Sequence, residues 1–284
     1  MDARAEFPQA GLSAAERVSY LPRRWSGDRV TVLYLVALVL PVVAGIHATA
    51  GGLVPLVAGS LLAASFWTLL FSRLRGRAPS WHFLATAIVF ALLVPPGVPL
   101  WQAMLAISFG VVIGEQVFGG RGYSFLHPAA AGLAFLFFSF SGSTGEQANS
   151  TALAVAVLPG ALLLLVAGLL SWRVLAGFAA GLVFWLGVRD FTLPPDTVLT
   201  SSLALGLVFL VCEPVSAAST NAGRWAYGVL AGVLVVLLGE AGAGVGSPGA
   251  IVFTSMLASI FAPLIDSVVV TLNARRRSRR QWPT

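Results

Sequence analysis

The sequence predicts an all-α integral membrane protein of about ten transmembrane helices, arranged as two inverted five-helix halves. The mean hydropathy of the 284-residue chain is +0.88 and only 10% of its residues are charged, whereas soluble domains carry about 25%. A spanning helix needs roughly 20 mostly apolar residues. Ten stretches approach this length, at 31–48, 52–72, 83–97, 99–118, 128–141, 152–171, 174–188, 199–213, 226–240 and 250–272. Ten spans divide into five-helix halves of opposite orientation, as in many transporters.

The positions of the positive charges predict which way these helices face. All seventeen basic residues are arginines, and all but Arg189 fall in the N-terminal segment, in alternate gaps between spans, or in the tail. Because positive charge stays cytoplasmic, we expect both termini to face the cytoplasm. The predicted organisation is a cytoplasmic segment at 1–29, a transmembrane domain at 30–272 and an arginine-rich cytoplasmic tail at 273–284 of a multi-pass inner membrane protein.

Several classes of function are excluded or disfavoured. The first thirty residues lack an early apolar core, so no cleavable signal peptide is expected. Cys212 is the only cysteine, which excludes an internal disulfide and a cysteine-ligated cluster held by this chain alone. His47, His82 and His127 are far apart in sequence, so no metal site is predicted. The arginine clusters flank spans and suit lipid head groups rather than nucleic acid. No dinucleotide fingerprint follows a strand, so we expect no NADH binding and no catalytic residues in this chain alone.

The first polar break lies between the fourth and fifth spans. Glu115 precedes a loop with three glycines, Gly119, Gly120 and Gly122, and Pro128 opens the next span. Glycines permit close backbone approach, and a helix start presents free N–H groups with a positive dipole end. The segment therefore fits either a tight turn that enters a helix or a site for a ligand or an ion.

The second polar break follows the eighth span, where Glu213 precedes Pro214. Glu213 is expected to be either a solvated acid at the membrane boundary or a buried acid on a cation path. The next residues are small or polar, and Ser219, Thr220 and Asn221 offer hydrogen bonds to a polar ligand.

Asp266 is a carboxylate well inside the last predicted span. Such a residue either pairs with a neighbouring helix or serves function, which is the default expectation for an intramembrane acid. A carboxylate offers an oxygen ligand for Na+ or a site for a proton. Asp266 is therefore a third candidate for a cation path.

Three long segments resemble a known family. Residues 94–138 (VPPGVPLWQAMLAISFGVVIGEQVFGGRGYSFLHPAAAGLAFLFF), residues 213–228 (EPVSAASTNAGRWAYG) and residues 258–277 are similar to the B subunit of the Na+-translocating NADH:quinone reductase. The D subunit of the Rnf complex is a more distant relative with the same core. The resemblance covers about residues 80–284.

The resemblance implies a ten-helix subunit of a multi-subunit pump that couples electron flow through flavins to Na+ or H+ movement. It also implies three acids that help the ion to enter. Glu213 matches one, where the family has Asp, and Asp266 matches the second. The third is expected where the family has Lys-Glu, but this chain has Glu115-Gln116. The acid is thus displaced by one position, or about 100° around a helix. The loop at 118–122 matches a region associated with quinone.

The largest departure from the family concerns covalent FMN, which the family attaches to a Thr in a Ser-Gly-Ala-Thr motif. Ser141–Thr144 looks similar, but Gly142–Glu146 fits a run downstream of that motif better, and Phe138 replaces the usual Asp. We interpret the flavin-bearing segment as deleted and Thr144 as a residue at a helix start rather than an FMN anchor. Any flavin, FMN or riboflavin, is then expected to bind non-covalently, with a quinone as a further ligand. The alternatives are a redox-free transporter or channel and a scaffold for soluble redox partners.

Overall fold

The computed structural model describes residues 27–124, 126–140, 150–188, 200–242 and 244–281, with side chains up to residue 274. Within these ranges the chain forms ten helical segments and no β-strand. They are α1 Gly27–Ala48, α2 Leu53–Arg75, α3 Phe83–Leu93, α4 Leu100–Val111 with a π-helical extension Val112–Gln116, α5 Pro128–Ser139, α6 Thr151–Val166, α7 Trp172–Val188, α8 Ser201–Gly206 with a π-helical extension Leu207–Val211, α9 Asn221–Ala241 and α10 Pro248–Gln281.

Each helical segment coincides with one of the apolar stretches of the sequence. Most boundaries differ by up to five residues, but α10 continues nine residues beyond the predicted end at 272. Four of the described helices are long and apolar enough to cross a membrane: α1, α2, α9 and the part of α10 up to Ala274. Five further apolar helices are shorter, including α3 with 11 residues and α5 with 12. The all-α membrane architecture is therefore confirmed, while ten membrane crossings stay a prediction.

Several helices begin at side chains that cap them. Ser150, Thr200 and Thr220 accept hydrogen bonds from the backbone N–H groups of Leu153, Leu203 and Gly223. These bonds satisfy donors that a helix start leaves without partners. At α5 the cap is a histidine: the Nδ1 atom of His127 accepts from the N–H of Ala129, directly before Pro128.

The helices pack in a similar order in the two halves of the chain. In the first half α4 packs against α2 and α5, and in the second half α9 packs against α7 and α10. The halves meet where α1 lies against α6 and where α5 lies against α10. This correspondence supports the predicted plan of two five-helix halves.

The closest helix pair, α7 and α9, meets through glycines. A Cβ atom on Gly177 would lie 2.8 Å from the backbone oxygen of Trp225, and one on Gly228 would lie 2.5 Å from the backbone oxygen of Val174. Gly181 and Gly232 are closer still to backbone of the facing helix. Each helix therefore contributes a Gly-x-x-x-Gly pair, the arrangement that lets helices approach closely within a bilayer.

The π-helical extensions of α4 and α8 occupy corresponding places, since each leads directly into a polar loop. Arg75 donates hydrogen bonds to both the backbone and the side-chain oxygen of Gln116, the last residue of the first extension. The hydroxyl of Tyr227 donates to the backbone oxygen of Val211, the last residue of the second, at 3.0 Å. Both extensions are thus held in place by side chains of other helices, and π-helical turns are frequent at functional sites.

Candidate functional site

The loops that follow the two π-helical extensions, residues 117–127 and 212–220, meet around the carboxylate of Glu213. This side chain is buried, with 4% of the residue exposed. Its Oε1 atom lies 3.9 Å from Nε2 of His82, and its Oε2 atom lies 3.7 Å from Nε2 of His127. The hydroxyl of Ser216 donates to Oε2 at 3.4 Å. One acid of the second half is therefore enclosed by two histidines of the first half.

Further polar side chains complete what we call the Glu213 cluster. The ring of Tyr34 in α1 contacts the ring of His82 edge-on, with centroids 5.4 Å apart. Glu115, in the π-helical extension of α4, is only 5% exposed and within electrostatic range of Glu213, as is Arg121. The cluster consists of Tyr34, His82, Glu115, Arg121, His127, Glu213 and Ser216.

The pKa values of the two basic loop residues of the cluster, Arg121 and His127, are subject to opposing influences. Burial lowers the pKa of the Arg121 guanidinium, while the negative charge of Glu213 raises it. Burial also lowers the pKa of His127, again opposed by Glu213. Desolvation is the larger influence in both cases because it disfavours a charged group in a low-dielectric interior. His127 is therefore held toward its neutral form.

Asp266 lies on α10 and binds the C-terminal end of the 212–220 loop through hydrogen bonds. Its Oδ2 atom accepts from the N–H and hydroxyl of Ser219 at 2.7 and 2.5 Å, and its Oδ1 atom accepts from the N–H and hydroxyl of Thr220 at 3.0 and 2.6 Å. A side chain on Gly223 would collide with this arrangement. Four donors to one carboxylate make a strong anchor, since hydrogen bonds to charged groups exceed neutral ones.

The structure places the sequence-predicted residues in two groups. Glu115 and Glu213 belong to one cluster, whereas Asp266 holds the other end of the loop that carries Glu213. Of the two expectations for Glu213, burial supports the buried acid. The hydroxyls of Ser219 and Thr220 bind Asp266, so their role toward a ligand stays a prediction, as does that of Asn221, which is exposed at the start of α9. Thr144 lies outside the described residues.

Sequence reasoning missed the roles of His82 and His127, which it treated only as unconnected histidines. Each directly precedes a helix, α3 or α5. In the ten-span prediction both helix starts face the side on which the Glu213 loop lies. A search for polar residues at helix starts on one side of the membrane would have grouped the three residues.

A cavity of about 410 Å³ adjoins the cluster. Glu115, Arg121 and the predicted glycines line it, and so does Val215 of the 212–220 loop. Gly119, Gly120 and Gly122 have φ angles of +116°, +97° and +93°, where a side chain would be strained. A Cβ on Gly120 or Gly122 would meet no atom within 4 Å. The glycine loop therefore forms one wall of the cavity and leaves it open. The cavity volume of about 410 Å³ lies within the range of about 300–1,000 Å³ that is typical of ligand pockets.

The apolar helices and the Glu213 cluster define a multi-pass membrane protein with a buried ionisable site. The chain belongs to the NQR2, RnfD, RnfE family, which it matches over residues 16–153 and 141–275. The match begins at residue 16, so the similarity extends further toward the N-terminus than the expected start near residue 80.

Its relatives include proteins named as the B subunit of Na(+)-translocating NADH-quinone reductase. The chain is 35% identical to that of Yersinia pestis, with 80% of this chain and 68% of the relative aligned. It is 33% identical to those of Ectopseudomonas mendocina (strain ymp), with 80% and 69% aligned, and Neisseria meningitidis serogroup A, with 80% and 68% aligned. The alignment with the first of these two runs over 281 positions while covering 80% of this 284-residue chain, so that relative carries residues that this chain lacks.

Proposed function

We propose that the chain is the membrane subunit of a redox-driven complex that translocates Na+ or H+ across the inner membrane. The observation that carries the proposal is the buried Glu213 at the meeting point of two polar loops, in a chain whose relatives are named as subunits of a Na(+)-translocating reductase. A buried carboxylate is costly unless it is paired or used. As a subunit, the chain acts with redox partners and does not catalyse electron transfer from NADH alone.

The proposed cation path uses Glu115, Glu213 and Asp266. Glu115 lines the 410 Å³ cavity and interacts electrostatically with Glu213, so it links the cavity to the buried acid in the proposed path. Asp266 contributes by holding the 212–220 loop, through Ser219 and Thr220, in the position that places Glu213. With both termini in the cytoplasm, as the arginines predict, the cavity is the cytoplasmic entrance.

The glycine-lined cavity fits a planar redox ligand bound without a covalent link. Its volume suits a flavin ring or a quinone head group, the backbone of Gly119, Gly120 and Gly122 allows close approach, and Arg121 and Tyr123 offer a charge and an aromatic ring. When bound, such a ligand would supply the electron-accepting chemistry. The protein residues would hold it and keep Glu115 beside it.

A covalent FMN on this chain is not expected, because the alignments are consistent with a lost segment and Gly142–Glu146 fits the run after the family's flavin motif. The denatured polypeptide should show no flavin fluorescence in a gel, and Thr144→Ala should leave the flavin content of the purified complex unchanged. A fluorescent band at the size of this chain that disappears in Thr144→Ala would contradict the deletion. The family's flavinylated subunit from a relative is the positive control.

Glu213→Gln should lower cation-dependent electron transfer by roughly a hundredfold or more, the range that a group handling a proton or charge commonly contributes. The variant should still insert, because the amide is nearly the same size. The test uses the complex purified through a tag on this chain, with NADH as donor and ion uptake followed in liposomes. Glu240→Gln, the same replacement at an exposed position near the end of α9, is the control.

The redox-free transporter makes the opposite prediction. The tagged chain would then purify without flavin-bearing partners and carry ions without an electron donor, and this result would overturn the proposed function.

Genes for a flavin transferase or an NADH-oxidising subunit beside this gene would favour the redox complex. If the arginine-rich tail only docks partners, deleting residues 275–280 would abolish assembly but leave insertion intact.

A further inference from the structure

The surroundings of Glu213 identify the kind of cation that it can hold. Na+ and other hard cations in proteins are surrounded by several oxygen atoms. The described contacts of the Glu213 carboxylate are instead two imidazole nitrogens and one hydroxyl. Imidazole suits transition metals and protons rather than Na+. Among the described residues, no group of three or more His, Cys, Asp or Glu side chains has a metal-binding arrangement. A proton is the cation that this donor set fits.

The hydrogen bonds of His127 determine where its proton lies. Its Nδ1 atom accepts from the N–H of Ala129 at 3.1 Å, so Nδ1 carries no hydrogen. A neutral imidazole then has its single N–H at Nε2, which is the atom that faces Glu213. Protonating Nδ1 as well would remove the cap of α5. His127 is therefore a fixed donor toward Glu213 and not the group that changes protonation.

His82 has no such restraint. Its Nε2 atom faces Oε1 of Glu213, while its buried Nδ1 atom has no hydrogen-bond partner among the described residues. The Tyr34 hydroxyl, whose ring packs on His82, is also buried without a partner in the described part of the chain. Nothing there fixes one tautomer, so His82 can gain or lose a proton without breaking a hydrogen bond of the fold.

We propose that Glu213 and His82 form a proton-loading site, so that the ion carried along the proposed path is H+. In the empty state Glu213 is a carboxylate and His82 a neutral imidazole. In the loaded state one added proton is held on His82 or on Glu213, whose Nε2 and Oε1 atoms lie 3.9 Å apart, and the site gains one positive charge. His127 and Ser216 are positioning residues: the hydroxyl of Ser216 donates to Oε2 at 3.4 Å, and Nε2 of His127 faces the same atom at 3.7 Å. The inference rests on the proposed function and names its ion.

Two further ionisable groups act on the pair with opposite effects. Arg121 opposes the charge of Glu213 directly, whereas Glu115 adds a second acid on the cavity side. Glu115 lines the cavity, so a proton in the cavity has access to this acid. The titratable groups around Glu213 in the described structure are Tyr34 of α1, His82 before α3, Glu115 of α4, Arg121 and His127 of the 117–127 loop, Tyr227 of α9, and the neighbouring Cys212.

The deciding experiment identifies the transported ion. The complex is placed in liposomes and energised with NADH, while internal pH and ²²Na+ uptake are followed together. We expect proton uptake in sodium-free buffer that a protonophore abolishes. His82→Gln should lower the rate of electron-driven proton uptake by roughly a hundredfold or more, whereas His47→Gln, at the exposed end of α1, should change nothing.

His127→Asn separates positioning from folding, because the Asn side-chain oxygen can still accept from the N–H of Ala129 while the Nε2 donor is lost. We expect an unchanged melting temperature and a pH profile of proton uptake that moves to higher pH, because the carboxylate loses a donor to its charged form. An unchanged pH profile would contradict the positioning role.

The experiment distinguishes failure of the proton-loading site from failure of the proposed function. Electron-driven uptake of ²²Na+ with no primary proton movement would leave the redox pump intact and reject the proton site. If no ion moves with electron flow, the proposed function fails and infrared spectroscopy of the full chain decides on the site. The C=O band of protonated Glu213, identified by its loss in Glu213→Gln, should titrate and shift in His82→Gln. A band that is insensitive to His82→Gln would reject the pair.

Discussion

Gly181→Leu should prevent α7 and α9 from packing and leave little folded protein. A side chain on Gly181 collides with the backbone of Val229, and a backbone atom cannot rotate away as a side chain can. The two helices must then separate and lose the packing contacts along their glycine-lined interface. Because no hydrophobic effect holds helices together within a bilayer, nothing compensates for this loss. The expected cost is about 3 kcal/mol or more, at the upper end of core overpacking.

The matched control for this prediction is Gly187→Leu, which makes the same replacement six residues further along α7. A Cβ on Gly187 would meet no atom within 4 Å, and the residue is exposed, so the added side chain should be tolerated. Size-exclusion chromatography in mild detergent and SDS-induced unfolding measure the difference. Equal yield and equal unfolding midpoints for the two variants would show that α7 and α9 do not pack as described.

The ten helical segments could be read from the sequence because hydrophobic length and helix caps are local signals. Ser150 and Thr200, for example, precede apolar runs and cap the helices that follow. The π-helical extensions could not be predicted in this way. The run Leu207–Val211 reads as an ordinary apolar helix, and its widened turn is associated with a hydrogen bond from Tyr227, sixteen residues away.

The candidate site was predictable only in part, for a similar reason. The cost of a charge in lipid pointed to Glu213 and Asp266, but not to their partners. The partners of Asp266 are 46 and 47 residues earlier in the chain. His82 and His127 come from the other half and reach Glu213 only through tertiary packing. Local pattern therefore identified the acids, whereas the groups that determine their chemistry required the fold.

Asp266→Asn should lower the maximal rate of ion-coupled electron transfer by roughly tenfold or more while the protein remains in the membrane. The Asp266 carboxylate accepts four hydrogen bonds, two on each oxygen. In Asn an NH₂ group, which cannot accept, replaces one of these oxygens, so the two donors of either Ser219 or Thr220 lose their acceptor. Loss of bonds to a charged group costs about 1.5–3 kcal/mol each. The 212–220 loop then loosens, and Glu213 at its other end loses its position between the histidines.

The kinetic pattern distinguishes an anchor from a direct contact with the ion. Because the acceptor positions of Asp266 are occupied by the loop, we expect the KM for the cation to stay unchanged while the maximal rate falls. A raised KM with an unchanged maximal rate would mean that the ion itself contacts Asp266. Ser267→Ala is the control, since its exposed hydroxyl donates only to Leu264 within α10. Ser219→Ala, which removes one hydroxyl donor, should lower the maximal rate less than Asp266→Asn, because the backbone N–H bonds to the carboxylate remain.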